Sequence, residues 1–124
     1  MSTTNPGTQG ARQVFGVVSL DGFSKSITYI PVAQGAAGTT VLATASTGNK
    51  HKIVVAILTM SATGTLKFTD SSGDLTGAMD ISITAGFVAP GSIVPYTETG
   101  TTSALNLVTT VGAAKGVVGI ITEV

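Results

Sequence analysis

The 124-residue chain predicts an all-β fold: an antiparallel β-sandwich, jelly-roll-like, with an extended N-terminal arm. Three observations lead there. Sixteen glycines and many β-branched residues along the whole length disfavour long helices. Apolar and polar residues alternate in short runs of strand length. Gly-containing turns separate those runs at close to the rhythm of about 8–12 residues found in sandwiches and barrels. Eight or nine strands follow from this reading. The sequence divides into an arm, residues 1–12, and a single β-sandwich domain, residues 13–124.

Residues 1–12 lack apolar periodicity and carry Pro6, Gly7 and Gly10, so they read as an arm held by a neighbouring subunit or partner, with Pro6 and Arg12 as candidate contacts. "QVFGVVSL" (13–20) reads as the first strand. Asp21-Gly22 follows as a hairpin turn, because both positions tolerate positive φ. "SITYIPV" is next, with Pro31 marking an edge. After "GAAG", "TTVLATA" leads through "STGN" into "KHKIVVAILTMSA". "TLKFTD" places Leu66 and Phe68 on one face, Lys67 and Thr69 on the other. "SSGDLTG" is a polar loop, and "AMDISIT" sets Met79, Ile81 and Ile83 inward. "AGFVAPG" turns a corner into "SIVPYTE", edge-like through Pro95. "ALNLVTT" puts Leu105 and Leu107 on a shared face, and "VVGIITEV" closes the sheet.

Composition narrows the function classes. Six basic and six acidic residues balance, and charged residues make up only 10% of the chain. No clustered Lys/Arg surface for nucleic acid is expected. Roughly a quarter of the residues are Ser or Thr, which supplies the polar surface. Such a charge-poor surface suits a protein packed against neighbours better than a free monomer. The chain has no cysteine, so disulfides and thiolate chemistry are excluded. Its start has no apolar leader-like region. The run Ile53–Leu58 is too short to span a bilayer as a helix, and no membrane partner is expected.

Candidate sites are few. His51, between Lys50 and Lys52, is the only histidine, and no GxSxG, HExxH or second histidine supports it. It reads as a strand-start residue at the surface or an interface. "DSSGD" (70–74) with Asp80 offers carboxylates for a hard cation, but Gly73 stands fourth rather than sixth and Ile81 twelfth, against the EF-hand pattern. The expectation is a hairpin loop whose Asp and Ser side chains bond the turn backbone. Most of the six aromatics are expected in the core. No catalytic, cofactor-binding or metal residue is expected, and no enzyme activity. The apolar run "IVVAILTM" is the informative one. If Ile53, Val55 and Ile57 face the core, then Val54, Ala56, Leu58 and Met60 face outward; the strand is then covered on both faces, either within one subunit or by a second one, and on the latter reading these four are candidate interface residues.

One resemblance is carried by "GNKHKIVVAILTMSA", "GTLKFTD", "LTGAMDISITAGFVAPG", "TGTTSALNLVTT" and "GVVGIITEV" in that order. From about Gly48 to Val124 the chain resembles small β-sandwich virion proteins of tailed bacteriophages, particularly head decoration (cement) proteins. The resemblance implies a homotrimer seated on the major capsid protein at the outer capsid surface, made in the host cytoplasm, without cofactor. Tail and fibre proteins use similar sandwiches. They imply the alternative of a receptor- or carbohydrate-binding module.

Overall fold

The computed structural model describes residues 17–20, 23–89 and 95–124. The expected arm, with Pro6 and Arg12, lies outside the described residues, as do residues 13–16 of the expected first strand.

Twelve strands run in chain order: β1 (Val17–Leu20), β2 (Phe23–Ser26), β3 (Thr28–Ala33), β4 (Gly38–Ala43), β5 (Lys50–Met60), β6 (Gly64–Asp70), β7 (Gly73–Asp74), β8 (Met79–Ile81), β9 (Phe87–Ala89), β10 (Thr97–Glu98), β11 (Leu105–Thr110) and β12 (Ala114–Glu123). They form a hairpin, β1-β2, and two antiparallel five-stranded sheets. The first sheet has the order β10-β5-β12-β3, with β9 also on the β10 side of β5. The second has the order β4-β11-β6-β7, with β8 also on the β7 side of β6. The sheets pack face to face as a sandwich, and no helix occurs among the described residues.

The core is built by alternation. Leu66 and Phe68 of β6, and Leu105 and Leu107 of β11, are fully buried. They meet Ile53, Ala56 and Leu58 of β5 and Val118 and Ile120 of β12 from the other sheet. Each of these side chains larger than Ala56 contributes about 1.5–3 kcal/mol by leaving water. β1 and β2 pair antiparallel with Leu20 opposite Phe23, while the expected turn at Asp21-Gly22 lies outside the described residues. Pro31 lies on an edge strand, since among the described residues β3 pairs with β12 alone.

Three expectations are corrected. Ile53 is buried as expected, but beyond it the facing of β5 is inverted: Val54, Ala56, Leu58 and Met60 are buried within the chain, while Ile57 is 52% exposed. The cause is a β-bulge. Ile53 pairs with Ile120 and Val55 with Gly119, leaving Val54 as an extra residue that shifts the parity of the strand beyond it. Ile83 is 50% exposed instead of inward. β8 stops at Ile81, because Ser82 accepts the Ala85 and Gly86 N–H groups in a turn that Gly86 completes at φ +73°. Finally, the corner "AGFVAPG" contains a strand, β9, and Pro95 lies outside β10.

Candidate functional site

Three surfaces of the sandwich have distinct chemistry. The first is the outer face of the β5-β12-β3 sheet. Paired residues of adjacent antiparallel strands point to the same side. Ile57 pairs with Val117 on one side and Val88 on the other, and Val117 pairs with Pro31. Pro31, Val117, Ile57 and Val88 therefore form one apolar row across four strands. Ile57 is 52% and Val88 61% exposed. The neighbouring row holds Tyr29, Gly119 and Val55. The missing side chain at Gly119 leaves the space that Val55, Ile27 and Tyr29 fill. Lys115, with Thr59 and Ala33, closes the patch on the other side.

At the far end of this face Glu123 joins two strands. Its carboxylate accepts from Lys25 of β2 at 2.6 Å and Lys52 of β5 at 2.9 Å. Those two hydrogen bonds, Lys25 first, hold the Glu123 carboxyl below its ordinary value of 4.5. The outer face of the opposite sheet is polar by contrast. Thr65 and Thr110 share a 2.6 Å hydroxyl hydrogen bond, and Lys67 pairs with Asp74 at 3.0 Å.

The second surface is a cleft of about 620 Å³ at the β3–β4 side of the sandwich. Ile30, Leu42 and Ile120 form its floor, and Thr28, Thr44 and Thr122 its rim. His51 also lines it but is only 4% exposed, so its expected surface position is corrected. The reason is parity: His51 points inward like Ile53, while Lys50 and Lys52 point out to Glu98 and Glu123. Both ring nitrogens are engaged. Nε2 lies 2.7 Å from the Thr44 carbonyl oxygen, which can only accept, so Nε2 carries the hydrogen. In the neutral ring Nδ1 then accepts from the Thr122 hydroxyl at 2.8 Å. Backbone bonds to Thr99 fix the residue further: the His51 N–H donates to Thr99 Oγ1 and the Thr99 N–H to the His51 carbonyl. His51 thus ties β5 to the β4–β5 connection, to β12 and to the segment after β10. Neither nitrogen is free in this arrangement to act as a base or ligand.

The third feature is the Asp70 loop. Asp70 Oδ1 accepts from the Ser72 and Gly73 N–H groups, and Oδ2 accepts from the Gly100 N–H at 2.8 Å. The Gly100 bond is the main cause holding this carboxyl below its ordinary 3.8, against a smaller opposing effect of burial. The expected backbone-bonding loop is what the structure shows, with an added tie to the β10–β11 connection. Among the described residues no three His, Cys, Asp or Glu side chains cluster as metal ligands would.

Sequence reasoning missed a buried polar node at Gln34, which is 6% exposed. Its Nε2 donates to the Gly38 carbonyl at 3.1 Å and to Thr40 Oγ1 at 2.9 Å. Its Oε1 accepts from the Thr109 hydroxyl and the Ala114 N–H, both at 2.8 Å. All hydrogen-bonding positions of the amide are used, and the bonds join the two sheets. The aromatics also depart from a purely buried reading. Phe68, Phe87 and Tyr96 pack edge-on with centroids 5.8–6.4 Å apart, yet Tyr96 is 43% and Tyr29 48% exposed.

Comparison with family models, with curated proteins and with solved structures found no match.

Proposed function

We propose that this protein is a structural virion protein: a capsid decoration, or cement, protein of a tailed bacteriophage. It would seat on the major capsid protein at the outer head surface, as a trimer, and stabilise the shell. The sequence resemblance suggests the class, and one observation carries the reading. The row Pro31–Val117–Ile57–Val88 is apolar, with Pro31, Ile57 and Val88 exposed, and Lys115 is the charge beside it among the described residues. An apolar patch rimmed by polar residues suits a protein interface. Repeated weak contacts over a particle add by avidity, so each patch can be modest. The polar, hydroxyl-rich opposite face suits exposure to solvent.

The test adds purified protein to heads assembled without it. Stoichiometric uptake and a raised disruption temperature are expected. Ile57→Asp and Val88→Asp should abolish uptake while costing about 1–2 kcal/mol of stability, from lost partial burial and strand propensity, so circular dichroism should still show a folded sandwich. Normal attachment of both variants would remove the apolar row from the reading. A second reading, a receptor- or carbohydrate-binding module of a tail or fibre, is favoured by the cleft beside His51, with its apolar floor and hydroxyl rim. Binding to glycans or host cells without uptake by heads would select it.

A further inference from the structure

The cleft beside His51 lies between β3 of one sheet and β4 of the other, each paired on one side only among the described residues. Its floor of Ile30, Leu42 and Ile120 is apolar, a surface that gains by being covered.

The chain approaches this cleft along a fixed route. β12 pairs with β3 so that Thr28 meets Ile120 and Tyr29 meets Gly119. The same count, continued past Thr28, sets Lys25 of β2 against Glu123, and those two side chains do join. Ile27 is the single residue between β2 and β3, and its Cγ2 lies 3.1 Å from where a Cβ on Gly119 would stand. Lys25, Ile27 and Tyr29 therefore all point to the outer face, and β2 and β3 form one extended run along β12. A strand has two edges. β12 faces one edge of this run, so β1, which pairs with β2, holds the other.

β1 pairs with β2 in a register that sets Leu20 against Phe23 and Val17 against Ser26. Residues 13–16, outside the described residues, come directly before β1, and the sequence reads 13–20 as one strand. Carried upstream, the register sets Gly16 against Ile27, Phe15 against Thr28 and Val14 against Tyr29.

We propose that the occupant of the cleft is the chain's own segment upstream of β1, which adds a strand to the open edge of β3 and seats Phe15 on the cleft floor. Facing selects the side chain. Thr28 and Ile30 line the cleft, and paired residues share a face, so Phe15 points into it while Val14 points outward beside Tyr29. A phenyl ring over Ile30, Leu42 and Ile120 removes apolar surface from water on both partners. Pro31 sets the end of the added strand: it has no N–H to give, so pairing stops at Gln13, opposite Ile30. Connectivity favours this segment over one from a second copy. The β1–β2 hairpin has already closed the loop, so three more residues add pairing without new closure, whereas a second copy also loses its free motion. The seat lies away from the apolar outer row, so the inference does not depend on the capsid reading. It leaves the cleft of the second reading filled by the protein itself.

The chain has no cysteine, so introduced thiols report the register in the full chain. Val14→Cys with Tyr29→Cys keeps Phe15 and places two thiols on directly opposed residues, with Cα atoms about 5.5 Å apart. This pair should oxidise to a disulfide within one chain, several-fold faster than Val14→Cys with Thr28→Cys, whose side chains point to opposite faces. Phe15→Ala should lower the melting temperature by several degrees, and Val14→Ala by clearly less. Equal oxidation rates for the two cysteine pairs would overturn the inference. So would a Val14–Tyr29 disulfide that links two chains, or a Phe15→Ala protein that melts with the parent.

Discussion

Replacing Gln34 by Leu keeps the side chain's approximate volume and deletes the polar node between the sheets. Four hydrogen bonds disappear, but their loss is unequal. The Thr109 hydroxyl can turn to the Gly38 carbonyl, already 3.5 Å away. Thr40 Oγ1 and the Gly38 carbonyl belong to half-exposed residues and can accept from water. The Ala114 N–H has no such recourse, since Ala114 is fully buried. Stranding one buried donor costs about 1–3 kcal/mol, and each remaining bond is worth about 0.5–1.5 kcal/mol before partial recovery. Burying a Leu in place of the amide returns roughly 1 kcal/mol. The net expectation is a loss of about 2–4 kcal/mol, or roughly 8–15 °C in melting temperature for a domain of this size. Urea unfolding followed by circular dichroism measures it. Thr109→Val supplies the second arm of a double-mutant cycle, and the double variant should lose less than the sum of the singles by about 0.5 kcal/mol or more. A loss below 1 kcal/mol for Gln34→Leu, or strict additivity with Thr109→Val, would refute the argument that this node couples the sheets.

Three further perturbations test other parts of the structure. A Cβ at residue 116 would collide with the Ile57 carbonyl, and Gly116 has φ +145°, so Gly116→Ala should lose about 3 kcal/mol or more in urea unfolding. Phe68→Ala removes a fully buried ring from the aromatic trio and should cost about 3–5 kcal/mol by the same assay. Asp70 and Glu123 both have folded-state pKa values lowered, so their stabilisation is complete above the unfolded values near 3.8 and 4.5 and fades as pH falls through the lower folded values. The stability gap between the parent and Asp70→Asn or Glu123→Gln should therefore be constant near neutrality and shrink below about pH 4, as read from urea midpoints at stepped pH.

Much of the sandwich was legible because alternation is a direct imprint of a half-buried strand. Leu66 and Phe68 in β6, and Leu105 and Leu107 in β11, face inward as their spacing requires. Pro31 announced an edge because it has no N–H to give a second strand, and Asp21-Gly22 a hairpin because both residues tolerate positive φ. The facing of β5 was not legible. "IVVAILTM" is apolar at both parities, so only the bulge at Val54 decides which set is inside, and nothing in the residue types marks it. Ile83 was misplaced because alternation continues past the point where Ser82 and Gly86 turn the chain. His51 and Gln34 share a different obstacle. Their roles depend on partners many residues away, Thr122 for one and Thr109 and Ala114 for the other. A single polar residue beside an apolar run carries no trace of such partners. The lysines flanking His51 have the opposite parity and pair with Glu98 and Glu123.

The place of β12 in the first sheet has a consequence for synthesis and folding. It is the last strand in chain order, yet it sits between β5 and β3 and pairs with both. Lys50 meets Glu123 and Met60 meets Ala114, so nearly every contact of this ladder spans a long stretch of chain. Closing such loops before their contacts form slows folding toward the millisecond-to-second range. While residues 114–123 are still within the ribosome, β5 has no strand on its longer side. That edge of its apolar length must then wait unpaired in the nascent chain, with only the short β9 and β10 available on the other side. Chaperone dependence during translation, and early aggregation of chains stopped before residue 114, are the behaviours this order of assembly favours.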